Sequence, residues 1–176
     1  MKTKTIISIC FLLINFALCN SISSQAKVQK ITKIKSIQGA TYVLEQAGDE
    51  RAYIKNNNGV YEQLMKERGE DCEHIYNRDE SALALSEKEI IKSVFSDTRI
   101  KQLSVSNTNG FAVICICNTA GEVKAVNFLN VQPIITLQEI KKLEDAFLKL
   151  KINIYVGCSK TKFIKYNFFI KFNKYL

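Results

Sequence analysis

This 176-residue sequence contains no tryptophan, one histidine, one proline and seven glycines, and each shortage excludes a class of protein. So little proline and glycine argues against collagen-like or linker-rich sequence. A hydrophobic content of 47% argues against wholesale disorder. The chain also lacks a glycine-rich phosphate loop, a Gly-x-Ser-x-Gly nucleophile elbow and a His-Glu-x-x-His metal pair. With so few catalytic groups, the sequence favours a protein that is not an enzyme.

Acidic residues are absent from the C-terminal end. Residues 149–176 carry seven lysines and no acid, whereas residues 45–97 carry thirteen acidic residues against seven basic ones. A basic end favours an anionic partner, such as nucleic acid, lipopolysaccharide or an acidic protein. The simpler interpretation is a solvated surface, or pairing with the chain's own acidic segment. The candidate partner or anion contacts are Lys160, Lys162, Lys165, Lys171 and Lys174.

The first 26 residues have the layout of a secretory signal peptide. Lys2 and Lys4 precede an apolar run from Ile6 to Leu18, and small or polar residues follow to Ala26. The run is shorter than the roughly 20 apolar residues of a membrane-spanning helix. We therefore expect export to the periplasm or cell surface, cleavage after Ser21, Ser24 or Ala26, and no membrane span afterwards. Export makes nucleic acid an unexpected partner.

Cys19 gives an alternative at the same place, because lipoprotein signals put a lipid-accepting cysteine directly after the apolar run. The residue before it, Leu18, matches that pattern poorly. An uncleaved N-terminal anchor is the remaining alternative.

The mature chain is expected to form a single α+β domain over residues 27–176, in which an antiparallel sheet packs against one or two helices. Residues 27–80 are predicted to form N-terminal hairpins and a loop. Residues 81–176 are predicted to form a core in the order helix, strand, hairpin, helix, strand. In the first part we predict the following elements: strands at 28–37, 41–44 and 51–55, turns at 48–50 and 56–59, a short helix at 60–68 and a loop at 69–80.

Two helix starts carry a capping-box pattern. Ser86 with Glu89, and Thr136 with Glu139, each place a hydroxyl three residues before a glutamate. The first helix is predicted to end near residues 96–98, and residues 100–105 to resume as a strand. The second is predicted to run from Thr136 to Lys151, with an exposed Asp145–Lys149 pair.

Residues 110–172 contain the strongest signals. Phe111–Cys117 is apolar on both faces, as a central strand should be, and 118–121 supply turn residues before a partner strand at 122–129. The last segment alternates: apolar side chains occupy one face and lysine or asparagine much of the other. This pattern predicts a half-buried edge strand, on which lysines discourage aggregation.

Four cysteines remain after cleavage: Cys72, Cys115, Cys117 and Cys158. Cys115 and Cys117 point to one face of a strand, so a bond between them is not favoured, although Cys158 follows the next strand and could reach one of them. The leading interpretation is that Cys115 and Cys117 are small buried core residues. Cys72 and His74 also invite a thiol-nucleophile or zinc interpretation, with Cys115 and Cys117 as the further zinc ligands. A solvated acidic loop is the preferred interpretation, and no metal or cofactor is expected.

The order of elements from Gly110 onward resembles the C-terminal domain of TonB-type periplasmic energy transducers. The matching pieces are the apolar strand, the Asn118–Gly121 turn, the second strand, the helix from Thr136 and the final amphipathic strand at 163–172. The chain departs from that family in having no proline-rich periplasmic spacer. It is also similar to small uncharacterised exported proteins of Gram-negative bacteria.

Three functions are compatible with these features. The first is a non-enzymatic module that binds an envelope protein by adding a strand to a sheet edge. The second is a small thiol- or metal-dependent enzyme using Cys72 and His74. The third is a surface protein that binds anionic glycan or lipid through the C-terminal lysines.

Overall fold

The computed structural model describes residues 30–47, 51–69, 75–106 and 110–176. Several sequence predictions concern residues outside these ranges: the signal peptide, Cys19, the turn at 48–50, Cys72 and His74.

The strands of the described chain are β1 (Lys30–Ile37), β2 (Ala40–Ala47), β3 (Ala52–Asn56), β4 (Ile75–Asn77), β5 (Phe111–Asn118), β6 (Val123–Val131), β7 (Ile154–Val156) and β8 (Phe163–Ile170). Six of them form an antiparallel sheet in the order β1-β2-β3-β6-β5-β8, which organises the described chain. A separate two-stranded sheet pairs β4 with β7. The helices are α1 (Val60–Glu67), α2 (Glu80–Val94), α3 (Asp97–Ser106), α4 (Leu137–Phe147) and a C-terminal 3₁₀ helix (Phe172–Tyr175). The predicted α+β class is confirmed, with more helices than the one or two expected.

β5 is a central strand with both faces covered, as its sequence predicts. Its residues Phe111, Val113, Cys115 and Cys117 face the main core, which also contains side chains of α2, α3, α4 and the 3₁₀ helix. We call this side of the sheet the helical face. Ile114 and Ile116 are also buried, on the opposite face, where α1 lies across β5, β6 and β8. Burial on both faces explains why this strand is a continuous apolar run.

The turn between β5 and β6 depends on a glycine. Gly121 has a φ of 80°, and a Cβ built there would lie 1.8 Å from the carbonyl oxygen of Ile152. The Asn118 side chain accepts hydrogen bonds from the backbone N–H groups of Ala120 and Glu122. The predicted turn is therefore fixed by both of its turn-forming residues.

The first predicted capping box is wrong. Helix α2 begins six residues earlier than Ser86, with Asp79 as its N-cap accepting a hydrogen bond from the N–H of Ala82. Ser86 lies inside the helix, where its hydroxyl donates to the carbonyl of Ala82. A staple at this cap would pack Leu85 against Ile90, but Leu85 is 62% exposed. The helix starts instead at the upstream Asp79, which the sequence analysis did not predict.

The strand predicted at residues 100–105 is also wrong, because this segment belongs to α3. Its apolar residues fit either period, but Ile100 and Leu103, three apart, are the two that are buried. Part of the loop predicted at 69–80 is strand β4. The error at 100–105 arises because a short apolar run is compatible with both a helix and a strand.

The second capping box is confirmed. Thr136 Oγ1 accepts a hydrogen bond from the N–H of Glu139 at 3.2 Å, and the Glu139 carboxylate accepts one from the N–H of Thr136 at 2.8 Å. Helix α4 ends at Phe147 rather than Lys151. Lys149 therefore lies beyond the helix, and Asp145 pairs with Lys141 instead.

The final strand pairs with β5 and forms one edge of the sheet, as predicted. Ile164, Phe168 and Ile170 are buried, whereas Lys165 and Asn167 are exposed. The strand ends at Ile170, and Phe172 belongs to the 3₁₀ helix, where it contacts the rings of Phe95 and Phe111. The chain end is therefore part of the core.

Candidate functional site

The five predicted lysine contacts are spread along the C-terminal segment. Lys160 and Lys162 precede β8, Lys165 lies on its outward face, and Lys171 and Lys174 follow it. Lys162, Lys165, Lys171 and Lys174 form no salt bridge with a described acidic residue, so the described acids do not neutralise these four. Lys171 instead lies over the ring of Phe169, 5.3 Å from its centroid. These lysines follow the β8 edge and do not gather around a cavity.

Cys115 and Cys117 are free, fully buried thiols of the main core, as the leading interpretation predicted. Burial raises the pKa of Cys115 far above its ordinary value and that of Cys117 to about 12. Both are therefore protonated and shielded at neutral pH, which is the opposite of a thiol nucleophile.

Cys158 is disulfide-bonded. Because Cys115 and Cys117 are free, the suggested bond from Cys158 to either of them is not formed. Cys115, Cys117 and Cys158 are the only cysteines in the described ranges, so the partner of Cys158 lies outside them.

Metal-binding and membrane-spanning features can be checked only where the structure describes the chain. No group of three or more metal-binding side chains occurs within residues 30–47, 51–69, 75–106 and 110–176. Across the same ranges, none of the helices has the length and apolar character needed to cross a bilayer.

A cleft of about 350 Å³ opens on the helical face of the first three strands. The start of α4, at Leu137, borders the cleft. The floor contains Leu44 from β2 and Ile54 from β3, and Val131 continues it from β6. We call this feature the β1–β3 cleft. Its volume lies within the range of about 300–1,000 Å³ that is typical of small-molecule sites.

One wall of the β1–β3 cleft is the segment from Gln132 to Leu137, and a partly buried ion pair holds this wall in place. Arg99 of α3 donates to both carboxylate oxygens of Glu139, at 2.7 and 3.1 Å, and to the carbonyl oxygen of Ile134 at 2.6 Å. Burial alone would raise the pKa of Glu139, but the hydrogen bonds from Arg99 and Thr136 outweigh it and lower the pKa. The capping box and this bidentate pair therefore form a rigid wall.

The opposite wall carries two lysines. Lys33 and Lys35 lie two residues apart on β1, so both side chains project from the helical face. Both are exposed, and neither forms a salt bridge with a described residue. The β1–β3 cleft therefore combines an apolar floor with two cationic groups that no described acid neutralises.

A second, more open groove lies at the other end of α4. It is lined mainly by polar residues, among them Asn56 and Glu144. Glu144 is only 4% exposed, and its two carboxylate oxygens accept hydrogen bonds from the Tyr42 hydroxyl and the Asn56 amide. Burial, with the Glu144 bond adding to it, raises the pKa of Tyr42, which therefore stays a donor. Because its two donors lie on β2 and β3, the Glu144 carboxylate joins α4 to the sheet.

Asn127 is a further buried polar residue, on the α1 side of the sheet. Its side-chain nitrogen donates to the Tyr53 hydroxyl at 2.6 Å. Its Oδ1 is buried without a hydrogen-bond partner among the described residues. Asn127 lines a small cavity of about 60 Å³, together with Asn56, Tyr61 and Glu144. No nucleophile, base and orienting group occur together in any of these three depressions.

The comparisons with known proteins support the fold alone. No protein-family profile matches the sequence, and no curated protein matches it. The crystal structure of a DUF5043 family protein from Bacteroides uniformis ATCC 8492 is similar, with a TM-score of 0.58. The likeness covers 84% of this chain and 95% of that chain, at 14% sequence identity. At this identity the similarity shows a shared architecture over most of both chains and transfers no function or residue role.

Sequence reasoning missed the β1–β3 cleft although its lysines were visible. Lys33 and Lys35 lie in the segment predicted as a first strand, but nothing in the sequence indicates that the wall at 132–137 lies opposite them. That wall is positioned by Arg99 and Glu139, which are 40 residues apart in the chain. The capping box at Thr136 and Glu139 predicted a helix start, without its location beside β1.

Proposed function

We propose that the protein is an exported, non-enzymatic binding module that recruits a partner in extended conformation to an open edge of its sheet. The observation that carries this proposal is the exposure of β1. This strand is an edge of the sheet, and all five residues from Thr32 to Ser36 are exposed, so neither face of this stretch is covered. An edge strand of this kind presents unpaired backbone groups to an incoming strand.

The hairpin geometry identifies which backbone groups are available. Gln38 and Gly39 form a two-residue turn, and both have positive φ, 48° and 78°. Ile37 and Ala40 flank this turn as a hydrogen-bonded pair, and hydrogen-bonded and non-hydrogen-bonded pairs alternate from there. The N–H and C=O groups of Ile34 therefore point away from β2, as do those of Thr32 and Ser36. No described residue makes a backbone hydrogen bond to this outer edge.

The test uses a phage-displayed library of random peptides selected on the immobilised wild-type protein, with the selected peptides then measured for affinity. Ile34→Pro removes one outward N–H and leaves the hydrogen-bonded pairs at residues 33 and 35 intact. We expect this variant to lose peptide binding and to melt near the wild-type temperature. Ile34→Thr keeps the N–H and is the matched control, so it should bind like wild type. Equal binding by wild type and Ile34→Pro would overturn the β1 edge.

The exported location has its own test, independent of the binding site. The support for export is the signal-peptide layout of residues 1–26, with its basic start and short apolar run. Fractionation followed by N-terminal sequencing should find the mature chain outside the cytoplasm, beginning after Ser21, Ser24 or Ala26. A cytoplasmic chain that starts at Met1 would reject export. Metabolic labelling with a palmitate analogue distinguishes the alternative of lipidation at Cys19.

The β8 edge is a second candidate surface, because it carries the C-terminal lysines. Lys165 and Lys171 favour an anionic partner at that edge. Replacing both by Gln should weaken such binding without unfolding the protein, whereas peptide binding at β1 should be unchanged. If partner binding is lost only in the variant that lacks Lys165 and Lys171, the anionic-surface function replaces the β1 function. The resemblance of residues 110–172 to TonB-type C-terminal domains stays a prediction.

A further inference from the structure

We infer that the β1–β3 cleft binds a small amphipathic anion, with an apolar body on the cleft floor and a carboxylate or phosphate beside Lys33 and Lys35. The inference does not depend on strand addition at β1, because it concerns the helical face of the sheet and not its outer edge. The same ligand chemistry occurs in free fatty acids and in anionic lipids.

The apolar part of the ligand is indicated by the accessible surface of the cleft. Ala52, Ile54, Val131 and Ile135 form a buried base that belongs to the main core. Above it, the half-buried Leu44 and Leu137 and the exposed Pro133 present apolar side chains to the opening. A ligand placed here removes those groups from water without any rearrangement of the sheet.

The anionic part is indicated by the charges around the opening. Among the described residues that line the cleft, the only charged side chains are Lys33 and Lys35, and both are positive. The nearby Glu139 carboxylate does not offset them, since it is already paired with Arg99 and with the N–H and hydroxyl of Thr136. A cation placed in the cleft would meet only like charge, so the arrangement selects for an anion.

The rigidity of the wall favours binding. Arg99, Glu139 and Thr136 fix the segment from Gln132 to Leu137 through six hydrogen bonds. A wall that is already ordered reduces the entropy lost when a ligand binds. The lysines on the other wall are exposed and can adjust to the position of the head group.

The experiment titrates ¹⁵N-labelled protein with acetate, hexanoate, octanoate and octylammonium, and follows the amide signals of β1, β2 and residues 131–137. Octanoate should shift these signals, and affinity should rise about fourfold for each methylene group that is buried. Octylammonium has the same apolar chain and the opposite charge, so it should bind far more weakly. Equal affinity for octanoate and octylammonium would overturn the anion assignment.

Variants then locate the site. Lys33→Gln/Lys35→Gln should weaken octanoate binding about tenfold, since each exposed ion pair contributes a modest amount. The matched control, Lys165→Gln/Lys171→Gln, removes the same charge from the opposite edge and should leave octanoate affinity unchanged. Equal loss in both variants would reject the cleft in favour of a general charge effect. Ile34→Pro should still bind octanoate, which separates this inference from the proposed strand addition.

A last arm identifies the source of the ligand. Vesicles of phosphatidylglycerol should co-sediment with the wild-type protein if the anion is a lipid, and this should be lost in Lys33→Gln/Lys35→Gln. If the ligand is a free amphiphile, octanoate binds and the vesicles do not. Failure of both octanoate and vesicles to bind would overturn the inference.

Discussion

At the scale of single residues, buried polar groups and thiols are held in one chemical state by their surroundings. Tyr42 and Asn56 both donate to Glu144, so a carboxylate is tolerated where it is only 4% exposed. Cys115 and Cys117 are held as thiols mainly by burial, which raises the pKa of both. No sequence pattern predicts the hydrogen bonds to Glu144, because Tyr42 and Glu144 are 102 residues apart. The second could be predicted, since both cysteines lie in an apolar strand.

Removing the Glu144 carboxylate should destabilise the protein by about 1–3 kcal/mol, because it leaves buried donors unsatisfied. The variant is Glu144→Ala, and the measurement is the free energy of unfolding from urea titration. Asp145→Ala is the matched control on the same helix, since its partner Lys141 forms an exposed pair of little energetic value. Equal losses in the two variants would mean that the Tyr42–Glu144–Asn56 contacts do not join helix and sheet.

Cys115 and Cys117 should react slowly with a thiol reagent in native buffer, since burial keeps the pKa of Cys117 near 12 and that of Cys115 well above its usual value. A low thiolate population and lack of access both slow the reaction. Rapid labelling of both under native conditions would contradict their position in the core. In denaturant both should react at the rate of an exposed cysteine.

At the scale of elements, a local capping signal predicted a helix start correctly where no second N-cap competed with it. The capping box at Thr136 and Glu139 predicted the start of α4, whereas Ser86 and Glu89 formed the same pattern inside α2. The difference is Asp79, a competing N-cap upstream. For residues 100–105 the burial that distinguishes helix from strand comes from packing against the 3₁₀ helix, which the local sequence does not contain.

Glu139 links the α4 cap to Arg99, and its contribution to stability should depend on pH. Its pKa in the folded protein is lowered from the ordinary value of 4.5, so the stabilisation is fully present above pH 4.5. It is lost as the pH falls below 4.5 through the folded pKa. Glu139→Gln should therefore reduce the wild-type slope of unfolding free energy against pH in this range.

The control for that measurement is Thr136→Ala, which removes the cap hydroxyl but leaves the carboxylate. It should cost about 1 kcal/mol at neutral pH. It should keep most of the acid-dependent slope, because Arg99 and the N–H of residue 136 still donate to the Glu139 carboxylate. An unchanged slope in Glu139→Gln would show that the Arg99–Glu139 pair does not stabilise the folded state.

At the scale of the whole molecule, the α+β class and the hairpin β5–β6 could be predicted from alternation and turn residues. The six-stranded order could not, because β3 pairs with β6 far along the chain, with Ile54 opposite Phe128. The final segment is a structural part of this sheet, and it contributes five buried side chains: Ile164, Phe168, Ile170, Phe172 and Tyr175. The edge strands of this sheet, β1 and β8, are the positions at which a partner strand could be added.

Deleting residues 163–176 should therefore give an insoluble or molten product. Burying each large apolar side chain is worth about 1.5–3 kcal/mol, and losing five approaches or exceeds the total stability of about 5–15 kcal/mol expected for a domain. Replacing Lys165 and Lys171 by Gln is the control and should leave cooperative melting intact. A truncated chain that stays soluble and melts near the wild-type temperature would contradict the role of β8.

The most direct test of strand addition at β1 is amide hydrogen exchange measured with and without a selected peptide. In the free protein the amides of Lys33 and Lys35 should exchange slowly, and those of Thr32, Ile34 and Ser36 rapidly, because only the latter point away from β2. Adding the peptide should slow exchange at Thr32, Ile34 and Ser36. If the peptide slows exchange only along β8, or at neither edge, β1 is not the binding edge.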